Sequence, residues 1–136
     1  MTNRWKTAAR VTKVLFSVAV LPGAVMNLVQ PEVLVTTAAL IGVPLALMSL
    51  MGVWKLLGVV ALWAPNAGRL REWAFAGFFF DLTGAAYLHV MAGDFAGAPP
   101  AIVLTALLVA TYLIGAKAAA PAEVNAAPGA LQASGA

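Results

Sequence analysis

Residues 44–63 read PLALMSLMGVWKLLGVVALW, and this stretch decides the fold. It carries one charged residue, Lys55, and is long enough to cross a bilayer, which takes about 20 apolar residues in a helix. Comparable apolar runs occupy residues 11–29, 73–92 and 101–117. Four runs of this kind predict an all-α protein, an integral membrane bundle of four transmembrane helices.

The segments between these runs set the domain limits. A straight helix over residues 33–63 would be about 45 Å long, against a hydrocarbon core of about 30 Å. Gly42 and Pro44 divide it, so a short helix over residues 31–40 is expected at the outer interface or dipping into it. Residues 1–120 therefore form the transmembrane domain. Residues 121–136, rich in Ala, Pro, Gly and Ser, are predicted to be a disordered tail.

The composition indicates that most of the protein surface contacts lipid. Hydrophobic residues make up 62% of the chain and charged residues 10%, against about 25% charged in a soluble domain. The net charge is +3, but the basic residues flank apolar runs and line no helix face, so nucleic acid is not expected. The chain has no cysteine and a single histidine, so no metal site is predicted and no cofactor is evident.

Lysine and arginine predict the orientation. With the N-terminus inside, seven of the eight basic residues fall on the inner side and none falls in an outer loop. Such an asymmetry predicts that both termini are cytoplasmic, in a multi-pass protein of the cytoplasmic (inner) membrane. The seven residues are Arg4, Lys6, Arg10, Lys13, Arg69, Arg71 and Lys117.

Two opposite charges lie inside the predicted membrane segments. Lys55 precedes Trp63 by eight residues, and Asp81 follows Trp73 by eight, so both lie about 12 Å from the inner boundary. Because their helices are antiparallel neighbours, Lys55 and Asp81 are expected to pair. The pair could be a staple that fixes which helices meet, or it could handle a proton or a substrate. The absence of any pairing is the third alternative.

Glycines accompany both charges. Gly52 and Gly58 share a helical face with Lys55, and Gly77 and Gly84 share one with Asp81, so close helix approach is expected around the pair. The opposite face of the Asp81 segment is expected to face lipid. It carries Phe75, Phe79, Leu82 and Val90.

His89 lies about two turns beyond Asp81, near the outer surface. Asn27 is expected at a similar depth, with Asp94 and Glu32 just beyond. These residues could form an outward-facing polar site in which His89 transfers protons. The alternative is a histidine at headgroup level with a satisfied partner. Lys55, Asp81 and His89 are thus the candidate catalytic residues.

Several stretches resemble the DoxX-like family of small bacterial four-helix membrane proteins. They are Gly42-Val-Pro44, the run from Gly52 to Gly58, the Pro65 turn and the run from Arg71 to His89. Lys55, Asp81, Gly84 and His89 match motif positions of that family. The resemblance implies a link to membrane quinol or quinone oxidoreductase complexes, or to oxidative stress, and a quinone as a possible cofactor. It implies no agreed activity.

Three functions remain open, and no catalytic motif decides between enzyme and non-enzyme. The first is an accessory or interaction subunit of a redox or stress-response complex, with a redox protein or a second copy as partner. The second is a membrane enzyme or binder for a lipophilic molecule such as a quinone, with Lys55 and Asp81 as a proton-handling pair. Transport of a solute or proton ranks last, since no inverted repeat is visible.

Overall fold

The computed structural model describes residues 2–121, and the elements in this range are helices. They are α1 (Thr2–Val29), α2 (Glu32–Ile41), α3 (Leu45–Trp63), α4 (Gly68–Met91) and α5 (Ala98–Ala119). Four of them, all except α2, are long and apolar enough to cross a membrane. Helix α1 packs against α3 and α5, and α4 packs against the same two helices. The predicted all-α architecture with four membrane-length helices is confirmed, and the helices form a closed ring.

Two of the long helices begin earlier than expected. Helix α1 begins at Thr2 rather than at residue 11, and it continues past Pro22 to Val29. Its first turns are rich in Arg, Lys and Ala, which favour helix and extend it beyond the apolar run. Helix α4 begins at Gly68 rather than at residue 73, because the chain reverses within four residues. Asn66 takes a φ of 55° there, in the left-handed region that asparagine tolerates.

The remaining boundaries lie close to the predicted ones. Helix α5 begins at Ala98, so that Pro99 and Pro100 fall in its first turn, where a missing N–H costs little. The predicted short helix is α2, and it ends at Gly42, whose φ of 74° permits the left-handed cap. Of the predicted disordered tail, only Pro121 lies within the described residues.

Large apolar side chains from all four long helices meet in one core. The members, each almost fully buried, are Phe16, Val20, Leu62, Phe78, Leu82 and Leu108. The prediction that Leu82 and Phe75 face lipid is therefore wrong. Leu82 is 4% exposed, and the Phe75 ring packs 5.2 Å from the Tyr112 ring of α5. Helix α4 lies between α3 and α5, so it has two inward faces where the sequence suggested one.

The first and the last turns of the described chain lie at the same end of the helix bundle. Lys117 Nζ of α5 lies 5.0 Å from the centre of the Trp5 ring of α1. On the same side, Lys13 Nζ lies 4.9 Å from the Trp63 ring, whose Nε1 donates to Ser17 at 3.0 Å. We call this the terminal end. Its position towards the cytoplasm stays a prediction.

Candidate functional site

An ion pair joins α3 and α4 within the bundle. Lys55 Nζ lies 3.2 Å from Asp81 Oδ2, and the two side chains are only 13% and 15% exposed. The predicted pairing is confirmed. The equal depth of the two charges on antiparallel helices brings them together, and their opposite signs make the contact favourable.

A third residue, Asn27 of α1, completes this cluster. In the amide orientation that satisfies both of its polar atoms, Asn27 Oδ1 accepts from Lys55 Nζ at 3.0 Å and Nδ2 donates to Gly23 O at 3.3 Å. Asn27 is buried, at 6% exposure. The expectation that Asn27 belongs with His89 is therefore wrong. The buried polar cluster links three helices, α1, α3 and α4.

The Asp81 carboxylate is incompletely satisfied. Both of its oxygens are buried, and neither accepts a well-aligned hydrogen bond from residues 2–121. The contact between Lys55 and Oδ2 is thus an ion pair, and Oδ1 has spare capacity. A buried acceptor without a donor is costly, about 1–3 kcal/mol, and such a group in a native protein calls for an explanation.

A cavity of about 380 Å³ lies between α3 and α4 and reaches this ion pair. From Asp81 it runs along the two helices towards the turn before α4, with Leu70 at the opposite end. Large aromatic side chains form its sides, and small residues form its floor. We call it the α3–α4 groove; its lining includes Trp54, Lys55, Leu57, Gly58, Ala61, Trp73, Ala74, Gly77, Phe78 and Asp81.

The four glycines singled out in the sequence have different surroundings. A Cβ on Gly52 would lie 3.0 Å from Ala24 O and 3.0 Å from Asn27 Cβ, so this glycine allows α1, not α4, to approach α3. A Cβ on Gly58 would lie 2.7 Å from the Phe78 ring of α4. Gly77 and Gly84 have no atom within 4 Å of their Cβ positions. The close approach of α3 and α4 therefore rests on Gly58.

His89 belongs to a separate cluster at the α2 end of the bundle, away from the terminal end. Its Nδ1 lies 2.8 Å from Asp94 Oδ2, and Asp94 Oδ1 accepts from the Gly97 N–H at 3.1 Å. A side chain on Gly97 would collide with His89 and Asp94. This small network joins the end of α4 to the start of α5. The arrangement matches the expectation that His89 has a satisfied partner, and it leaves a catalytic role untested.

Acidification should weaken the His89–Asp94 contact. The hydrogen bond from His89 lowers the pKa of the Asp94 carboxyl below its ordinary value of 3.8. The folded state thus favours the ionised form, and its stabilisation is present above pH 3.8 and lost as pH falls through the lower folded pKa. Unfolding midpoints of the wild type and Asp94→Asn in detergent micelles test this prediction. Their difference should shrink as the pH falls below about 4. A difference that does not change with pH would contradict it.

Metal-binding groups do not come together in the part of the chain that the structure describes. No three His, Cys, Asp or Glu side chains of residues 2–121 form a group able to hold an ion. The residues that line the α3–α4 groove include one ammonium group, one carboxylate and large apolar side chains.

Comparison with known proteins identifies a family. Residues 11–111 match the profile of the DoxX-like family, which covers α2 to α4 completely and most of α1 and α5. Neither the curated proteins nor the solved structures contain a match. The matched range includes Lys55, Asp81 and His89.

Proposed function

This chain belongs to the DoxX-like family, and we propose that it binds a small lipophilic molecule in the α3–α4 groove, with the Lys55–Asp81 pair holding the polar end of that molecule. A quinone, the compound class that the family resemblance implied, is one such molecule. The four membrane-length helices and the family match indicate a multi-pass membrane protein, and we propose that it lies in the cytoplasmic membrane.

The cavity beside the ion pair is the observation that carries this proposal. Its volume of about 380 Å³ falls within the range of about 300–1,000 Å³ that is typical of ligand sites. Its composition is also typical, because apolar walls surround a few converging polar groups. Charged residues inside membrane segments are rare and usually mark a substrate, ion or proton path.

A purely structural ion pair explains the geometry less well. A staple between two helices requires packing around it and partners for its polar atoms. Here the pair adjoins a cavity, and neither Asp81 oxygen accepts a well-aligned hydrogen bond from the described residues 2–121. The cavity offers space to a ligand, whereas a purely structural ion pair needs no such space. With an ammonium and a carboxylate in contact, the site could also exchange a proton with a bound molecule.

Filling the groove tests the proposal. Gly77 lines the cavity and has open space at its Cβ, so Gly77→Phe should place a ring in the groove and leave the ion pair intact. We expect native mass spectrometry of gently extracted protein to show a bound small molecule in the wild type and its loss in Gly77→Phe.

Gly84→Phe is the matched control, because Gly84 also has open space at its Cβ but does not line the groove. This variant should retain the molecule. Wild-type protein without a bound molecule, or equal occupancy in wild type and Gly77→Phe, would contradict the proposal.

An accessory-subunit role is the second candidate. The open sides of Gly77 and Gly84 would let another transmembrane helix, from a redox-complex protein or a second copy, approach α4 closely. The same mass spectra separate the two candidates. A second polypeptide without a small molecule would favour the accessory role and make Lys55–Asp81 a staple.

A further inference from the structure

We propose that the terminal end of the bundle binds a phosphate group between Lys13 of α1 and Arg71 of α4, with Arg10 beside them. The group would belong to an anionic phospholipid or to a small soluble phosphate ester, since both carry the chemistry that this site recognises. The inference is independent of the proposed function, because none of these three residues lines the α3–α4 groove.

The contact between Phe16 and Phe78 brings the cations of α1 and α4 to a similar depth. The two rings lie 5.0 Å apart in the core. Arg10 precedes Phe16 by six residues, which is about 9 Å of helix. Arg71 precedes Phe78 by seven residues, which is about 10.5 Å of helix. Both helices begin at the terminal end, so the two arginines lie there at nearly the same level, with Lys13 one turn deeper on α1.

Two contacts with the end of α3 hold Lys13 and Arg71 close together. Lys13 Nζ lies 4.9 Å from the centre of the Trp63 ring. Arg71 Nη2 donates to the carbonyl of the next residue, Ala64, at 3.0 Å. Arg71 and Arg10 are also the charged groups near enough to Lys13 to repel its ammonium. Three positive charges therefore converge at this point of the bundle.

Within residues 2–121, no carboxylate pairs with this cluster. The ion pairs of the described chain involve Lys55 and His89, and neither includes a cation of the cluster. Glu72 follows Arg71 in the sequence, but it lines a cavity between α4 and α5 together with Tyr112. Because like charges held close together repel one another, a bound anion would stabilise the cluster.

The donors that an oxyanion requires are accessible. Lys13 Nζ and Arg71 Nη1 make no hydrogen bond within residues 2–121, and neither atom is buried, in contrast to Arg71 Nε. An ammonium and a guanidinium suit a phosphate, whose several oxygens accept charge-assisted hydrogen bonds. This end of a membrane-spanning bundle lies at the level of the lipid head groups, where basic pockets between helices meet phosphate.

Native mass spectrometry of the full chain in detergent micelles tests this inference with three probes. Dioleoylphosphatidylglycerol carries a phosphate with a net negative charge, and dioleoylphosphatidylcholine has the same chains with a compensating choline. Glycerol phosphate is the soluble counterpart. We expect the wild type to retain phosphatidylglycerol in preference to phosphatidylcholine by about tenfold, the effect of one hydrogen bond between charged groups.

Lys13→Gln should bring this preference close to one, because it removes the central ammonium of the cluster. Lys6→Gln is the matched control, since it removes the same charge from an exposed position on the same end of α1. Neither substitution removes a side-chain hydrogen bond found within residues 2–121. The Lys6→Gln variant should therefore keep the preference of the wild type.

The outcomes also distinguish the two sources of phosphate. Selective retention of phosphatidylglycerol, lost in Lys13→Gln, would support the site with a lipid as its ligand. Retention of glycerol phosphate, lost in the same variant, would support it with a soluble ester. Equal preferences in Lys13→Gln and Lys6→Gln would overturn the inference, because general attraction between charges would then explain the binding. A wild type without any preference and without bound glycerol phosphate would overturn it as well.

Discussion

Asp81→Leu alone is expected to lower the free energy of unfolding of the bundle by about 3–5 kcal/mol. The substitution leaves the Lys55 ammonium only 13% exposed and without its carboxylate. An unpaired charge in a poorly hydrated site is strongly destabilising, and the surrounding hydrocarbon offers little relief. Titration of the purified protein from mild detergent into sodium dodecyl sulfate measures this change.

The double variant Lys55→Met/Asp81→Leu should recover most of that loss. Methionine and leucine fill similar volumes without a charge, and apolar replacement of a buried ion pair is often neutral or stabilising. The coupling between the two sites, obtained from both single variants and the double, should therefore be large and favourable. A double variant as unstable as the sum of its two singles would show that Lys55 and Asp81 do not interact.

The same double variant separates stability from function. If the pair only fixes which helices meet, the refolded double variant should keep its ligand and its cellular role. If the pair holds a ligand, as proposed, the double variant should be stable and lose binding. The double variant would then keep its stability and lose binding, a separation that neither destabilised single variant can show.

The ion pair could be predicted from the sequence because charge is scarce in the membrane segments. Lys55 and Asp81 are equally distant from a tryptophan at the same boundary, and a short turn joins their helices. Length, hydropathy and turn residues therefore fixed their relative depth without any knowledge of packing. The same reasoning predicted four membrane-length helices and the short α2.

Asn27 shows where this reasoning fails. Counting residues along α1 gives the distance of Asn27 from the end of that helix. It does not give the axial offset between α1 and α3, because this offset depends on how the two helices pack. The contact of Gly52 with Ala24 and Asn27 sets that shift and brings the amide to Lys55. The α3–α4 groove could not be predicted either, because a cavity between two helices does not leave a recognisable pattern in the sequence of either helix.

Helical geometry explains why the glycines of α3 face two neighbours. At about 100° per residue, Gly52 and Gly58 lie about 60° on either side of Lys55, and so about 120° apart. One glycine turns towards α1 and the other towards Phe78 of α4, with the lysine between them. Periodicity placed the three residues on one broad face, but it could not show that two different helices share this face.

Gly52→Ala should therefore destabilise the protein by about 1–3 kcal/mol, the usual range for overpacking. Its new methyl group would lie 2.9 Å from Leu28 Cγ and 3.0 Å from Ala24 O. The carbonyl belongs to the α1 backbone, so no change of side-chain conformation relieves the contact. Helix α1 must move away, and Asn27 would move with it, which should lengthen its 3.0 Å hydrogen bond to Lys55.

Gly84→Ala is the matched control for this effect, because both glycines lie within helices and only Gly52 touches a neighbour. No atom lies within 4 Å of the Cβ position of Gly84, so the added methyl should be neutral or stabilise the helix by up to about 1 kcal/mol. Unfolding in sodium dodecyl sulfate should thus shift in opposite directions for the two variants. Equal shifts would mean that helix propensity, rather than the contact of α1 with α3, governs both sites.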